Sequence, residues 1–225
     1  MKSSKYLKAG ILLIALVVPA LIFFNLKFFS HNHYKLPVFF AVDSVQIDGS
    51  KNYKVTQAHK IAEFSLWNQD SILINSNQFR DKILVVDFVF TRCQTICPKM
   101  TNELIRVQEE FENDSLVKLL SFTVDPEFDQ PSVLRKHMTS KNVIYNKWTF
   151  LTGSKDSIYS LAQKSFFLTA MEDRERPLEF IHSDKVVLVD KNGWIRGYYN
   201  GTDRKEIDRL VAEIKVLQKI YELGE

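Results

Sequence analysis

Only two of the 225 residues are cysteine, which excludes a fold stapled by several disulfides and a closed zinc centre of four thiolates. No cysteine lies near the N-terminal apolar stretch, so a lipid-modified cysteine is excluded as an anchor. The body of the chain has no excess of charge of one sign. The formal charge of +3 rests on Lys2, Lys5, Lys8 and Lys27, and the remainder carries 26 basic against 27 acidic side chains. A net −1 is not the electrostatic footprint of a nucleic-acid binder. Low-complexity tracts and internal repeats are also absent, and the length suits one good-sized domain plus extra segments.

What is present begins with an apolar run from Ala9 to Phe29, interrupted only by Pro19, Asn25 and Lys27. About 20 such residues suffice to cross a bilayer as a helix. Lys2, Lys5 and Lys8 favour a cytoplasmic start, which places everything after residue 30 on the far side of an inner membrane, in a periplasm or other extracytoplasmic space. Val18-Pro19-Ala20 resembles a signal-peptide cleavage site, but the apolar run continues through Leu21-Ile22-Phe23-Phe24, which favours a retained single-pass anchor. The expected organisation is a cytoplasmic tip and transmembrane helix over 1–30, a linker and peripheral strand over 31–58, and a folded domain over 59–225. In that compartment a lone cysteine pair three residues apart constrains the unfolded chain little. Its purpose is chemistry rather than scaffolding.

Within the domain, Ala62 to Leu66 and Ser71 to Ile74, separated by Trp67-Asn68-Gln69-Asp70, read as a hairpin. Ile83 to Phe90 and Val117 to Val124 read as buried strands, and Trp148 to Leu151 as a third. Helices are expected from about Pro98 to Glu112, over Pro131 to Ser140, and around Ile158 to Phe166. Lys185 to Val189 and Trp194 to Tyr199 flank an Asn-Gly turn signal at Asn192-Gly193. Asp203 caps a last amphipathic helix. Strands and helices alternate, so the fold class is α/β: a thioredoxin-like plan with a central mixed sheet flanked by helices. Active groups of such sheets lie at the carboxyl ends of strands, where Cys93 falls.

The cysteines occupy Thr91-Arg92-Cys93-Gln94-Thr95-Ile96-Cys97-Pro98. With Cys97 on a first helical turn, both sulfurs can share one side, and the helix N-terminus favours thiolate over thiol. Two thiolates and one imidazole make a trigonal set suited to copper, with His182, just before Lys185 to Val189, as third ligand. Cu(I) is the expected state, and Cu(II) is left open. The same pair can also cycle between dithiol and disulfide, which a thiol-disulfide reductase would use without His182. His31 and His33 read as solvated, and His59 and His137 show no partner in the sequence.

These residues resemble the Sco/SenC family, copper chaperones of cytochrome c oxidase assembly. Phe88-Val89-Phe90-Thr91-Arg92-Cys93-Gln94-Thr95-Ile96-Cys97-Pro98 is similar to the family's copper-binding segment. Thr123-Val124-Asp125-Pro126-Glu127-Phe128-Asp129 is similar to its Asp-Pro-x-x-Asp element, and Ile181-His182-Ser183 before a strand to its histidine segment. The resemblance spans roughly residues 59 to 222. It implies copper ligation by Cys93, Cys97 and His182, with Asp125 or Asp129 as acidic neighbours, although each aspartate could equally serve turn chemistry. Phe128 and Ile181 depart from the family pattern. The implied partners are cytochrome c oxidase subunit II, whose Cu(A) site would receive the metal, and an upstream copper donor or thiol reductant.

Overall fold

A computed structural model describes residues 3–29, 36–46, 53–168 and 184–223, in two units, Met1–Lys35 and Leu36–Glu225. In the first unit, α1 (Ser3–Phe29) is a 27-residue helix with Pro19 inside it. Its large apolar side chains from Ile11 to Phe24 are exposed. Among the described residues, no helix is long and apolar enough to cross a membrane, so the transmembrane helix expected over 1–30 is not supported by the fold.

The second unit opens with an antiparallel ribbon of β1 (Ala41–Gln46) and β2 (Tyr53–Ala58). There follow β3 (Ser65–Asn68), β4 (Leu73–Asn75), β5 (Ile83–Val89), α2 (Ile96–Glu110), β6 (Val117–Thr123), α3 (Pro131–Ser140), β7 (Trp148–Thr152) and α4 (Lys155–Ser160). A π-type turn over Leu161–Ser165 extends α4, and β8 (Lys185–Val189), β9 (Ile195–Asn200) and α5 (Arg204–Glu222) complete the unit. Strands β3 to β9 form one seven-stranded sheet in the order β4-β3-β7-β6-β5-β8-β9. It is mixed: β5, β6 and β7 run parallel, and the outer pairings are antiparallel.

All seven residues of β5 are buried, because helices cover both faces of the sheet. Ile83, Val85 and Val89 point into one apolar cluster with Leu104 of α2, Leu134 of α3 and Leu210 of α5. Leu84, Val86 and Phe88 point into the other, with Ile158, Ala162 and Phe166. The α/β expectation with a mixed, helix-flanked sheet is met. The β8–β9 hairpin also forms, with Gly193 at φ +80 where only glycine is unstrained. Asp203 caps α5 by accepting the Lys205 N–H at 2.9 Å.

Three boundaries differ from the sequence reading. The first hairpin sits later, because Trp67 and Asn68 belong to β3 and pair with Thr152 and Leu151. The Asn68 side chain then caps the turn, accepting the N–H groups of Asp70 and Ile72, each at 2.9 Å. Helix α2 starts at Ile96 rather than Pro98, so the proline is its third residue and still forgoes no intrahelical bond. Strand β2 was read as linker, since polar Lys54, Thr56 and Gln57 hide its pairing with β1. The segment from Leu36 is latched to the sheet: Arg196, paired with buried Asp190 at 2.8 Å, donates to the carbonyls of Leu36 and Pro37, each at 2.9 Å.

Candidate thiol and metal site

Strand β5 delivers the chain to the carboxyl edge of the sheet, where the Cys93 N–H bonds the Phe90 carbonyl at 3.2 Å and turns it toward α2. Thr95, the residue before α2, makes no side-chain cap bond. The Cys93 sulfur supplies that function: Sγ accepts the Cys97 N–H at 3.4 Å, one of the donors a helix N-terminus leaves unpaired. The Thr95 hydroxyl lies 3.9 Å from the same sulfur. Both cysteines are free thiols, 8% and 7% exposed.

The two thiols are not equivalent. Burial pushes the Cys93 thiol up, but hydrogen bonds from the Cys97 thiol, the Cys97 and Thr95 N–H groups and the Thr95 hydroxyl outweigh it and hold the group below its ordinary value. Burial pushes Cys97 up to about 12, opposed by a backbone hydrogen bond at Phe90 and reinforced by Cys93 and by the charge of Asp87. Asp87, in the middle of β5, is itself buried, and burial raises its carboxyl to about 7 against the bond from the Ser121 hydroxyl.

The acidic residues named from the sequence lie against the residues just before Cys93. Asp129 is fully buried and accepts from the Thr91 N–H at 3.0 Å, from the Thr91 hydroxyl, and from the Thr123 hydroxyl at 2.6 Å. Asp125 takes the Arg92 guanidinium, Nε at 3.1 Å, in an ion pair. The same guanidinium lies over the Phe128 ring, 4.4 Å from its centroid. The sequence reading missed Thr91, Arg92 and Thr123 as site residues. The available signal was their position at the ends of two strands that pair in parallel, Val89 opposite Thr123, but that register is not written in the sequence.

His182 lies outside the described residues, as do His31 and His33. Among the described residues, no group of three histidine, cysteine or acidic side chains could hold a metal. Of the three ligands expected from the sequence, only Cys93 and Cys97 fall among the described residues. His59, without a partner in the sequence reading, lies with Nε2 3.0 Å from the Ser165 carbonyl, and His137 meets Phe150 edge-on.

Comparison with known proteins follows the same residues. The SCO1/SenC family profile matches residues 53–219. A SCO1 protein homolog of Bacillus subtilis is 30% identical over 169 residues, covering 74% of this chain and 87% of its own length. The solved structure of BsSco, a member of the Sco family of cytochrome c oxidase assembly proteins with an identified disulfide switch, superposes with a TM-score of 0.62 at 30% identity, over 72% of this chain and 94% of that one. Bradyrhizobium japonicum ScoI, solved with copper bound, matches at a TM-score of 0.57 and 20% identity over 71% and 99% of the two chains, a likeness of fold.

Proposed function

The chain belongs to the SCO1/SenC family, and on that premise we propose that it is a membrane-tethered copper chaperone that loads the Cu(A) site of cytochrome c oxidase subunit II. The observation that carries this reading is the pair of free, hydrogen-bonded sulfurs of Cys93 and Cys97 at the carboxyl edge of the sheet. Copper is cargo here: the two thiolates and the His182 imidazole hold Cu(I), and the recipient's ligands displace them one at a time. Support for the tether is the apolar run from Ala9 to Phe29, about 20 residues, with lysines before it. The domain would then work on the extracytoplasmic side of the inner membrane.

The test is a Cu(I) titration of the reduced chain in detergent, without oxygen and against a chromogenic chelator. One copper per chain is expected, weakened at least tenfold by His182→Ala and lost with Cys93→Ser. Less than one copper, with both variants binding as the parent does, removes the proposal.

The inequality of the thiols favours a second reading, a thiol-disulfide reductase that keeps copper-ligand cysteines of the oxidase reduced. Cys93 thiolate would attack a target disulfide, Cys97 would resolve the mixed disulfide, and the target would leave as a dithiol. The two electrons would be restored by an upstream dithiol. This reading expects His182→Ala to retain disulfide-exchange activity, and a collapse of that activity overturns it.

A further inference from the structure

Asp129 is a carboxylate with no exposed surface, and among the described residues it is compensated by hydroxyl and amide donors rather than by a bonded cation. A buried carboxylate is tolerated only where its oxygens are satisfied. Here the donors come from two strand ends: Thr91 follows β5, and Thr123 closes β6. Thr91 is held twice, by its backbone N–H and by its hydroxyl, so both its position and its direction are fixed. Two residues later the chain reaches Cys93, whose sulfur must meet the Cys97 N–H. Asp129 is fixed from its own side as well, since its N–H bonds the Asp125 carbonyl at 2.8 Å.

From this we infer that Asp129 is a positioning residue for the cysteine pair, acting through Thr91 and Thr123, and that it is not a copper ligand. The inference rests on the reading of Cys93 and Cys97 as the functional pair. Three donors already bind Asp129, two on Oδ2 and one on Oδ1, and with no exposed surface the carboxylate is committed to the strand ends rather than open to a metal. An ionised carboxylate accepts from all three donors at once. An asparagine keeps one acceptor oxygen: its N–H₂ either meets the Thr91 N–H, donor against donor, or faces the Thr91 hydroxyl, which must then turn to accept and gives up its present bond. Asp125 adds a second strut one residue along, through Arg92. Phe128 steadies that strut through its stacked ring. The strand exit is thereby held at Thr91 and Arg92, next to the first cysteine.

The test uses the full chain in detergent with Thr91→Val, Thr91→Ser and Asp129→Asn. Two readouts are taken: Cu(I) affinity against a competing chelator, and the Cys93–Cys97 dithiol–disulfide equilibrium in a glutathione buffer. Outer positioning partners of metal ligands are typically worth 10–100-fold in affinity. Thr91→Val should weaken Cu(I) binding about tenfold and Asp129→Asn 10–100-fold, with one copper still bound at saturation. Thr91→Ser, which keeps the hydroxyl, should stay within about threefold of the parent.

Misplacing Cys93 from its N–H donor destabilises the thiolate, so the dithiol–disulfide equilibrium should shift about tenfold toward disulfide, about 30 mV. If Asp129→Asn fails to fold, the Thr91→Val and Thr91→Ser pair decides. If the parent chain binds no Cu(I), the copper reading fails, and the positioning role is judged on the glutathione equilibrium alone. Thr91→Val within twofold of the parent in every available readout overturns the inference.

Discussion

At the two sulfurs, burial and hydrogen bonding pull in opposite directions, and the balance differs between them. Cys93 gathers enough donors to be held below its ordinary value, while Cys97 is driven up to about 12 by its apolar surroundings. The thiolate is the reactive species, so a small alkylating agent should take Cys93 first in the reduced chain. Between pH 7 and 9 the Cys93 rate should rise as its thiol ionises, and Cys97 should stay at least tenfold slower. Peptide mapping after brief iodoacetamide treatment at pH 8 checks this, and equal labelling of the two residues would contradict it. The identity and spacing of the pair were legible in the sequence, because cysteine is so scarce in this chain. The inequality was not, since it depends on which N–H groups and hydroxyls reach each sulfur. The contacts from Asp129 to Thr91 span 38 residues and exist only once two strands lie side by side.

At the scale of an element, β5 is the strand read most easily from sequence and also the one whose chemistry the pattern concealed. Read as a continuous apolar run, Ile83 to Phe90 nonetheless carries Asp87 at its centre, and all seven residues of β5 are buried. In the parallel register Asp87 lies opposite Ser121, whose hydroxyl donates to it and accepts the Trp148 indole N–H at 2.7 Å. Apolar periodicity finds the strand, but it says nothing about which neighbour meets its one acid. Burial lifts Asp87 from an ordinary 3.8 to about 7. A carboxyl raised on folding gives stability that is fully present below its unfolded value and is lost as pH rises through the folded one. The rise is worth on the order of 4 kcal/mol, lost progressively between about pH 4 and pH 7. Asp87→Asn keeps an oxygen for Ser121 and cannot ionise. Its melting temperature should match the parent near pH 4 and exceed it by several degrees at pH 8, because the other titrating groups are common to both proteins and cancel. A difference that does not vary with pH would show that Asp87 carries no such penalty.

At the scale of the whole molecule, the two units differ in what covers their apolar surface. Every residue of the two apolar clusters falls between Leu36 and Tyr221, so the second unit buries its own core, including the edge at which the cysteines sit. The exposed side chains from Ile11 to Phe24 in α1 have no such cover among the described residues. An exposed stripe of that size calls for a partner. Among the described residues no helix is long and apolar enough to cross a membrane, so the tether rests on the sequence pattern alone, the apolar run and the lysines at positions 2, 5 and 8. The ribbon of β1 and β2 was the opposite case, visible only through pairing. Expressed in a bacterial host with an inner membrane, the full chain should sediment with that membrane, resist high salt and alkaline carbonate, and enter solution only with detergent. A chain of residues 36–225, exported by a cleavable leader, should stay in the supernatant and melt cooperatively at the temperature of the full chain's domain. Release of the full chain by salt alone would mean that α1 binds a surface without spanning it. Failure of residues 36–225 to fold would mean that α1 contributes to the core after all.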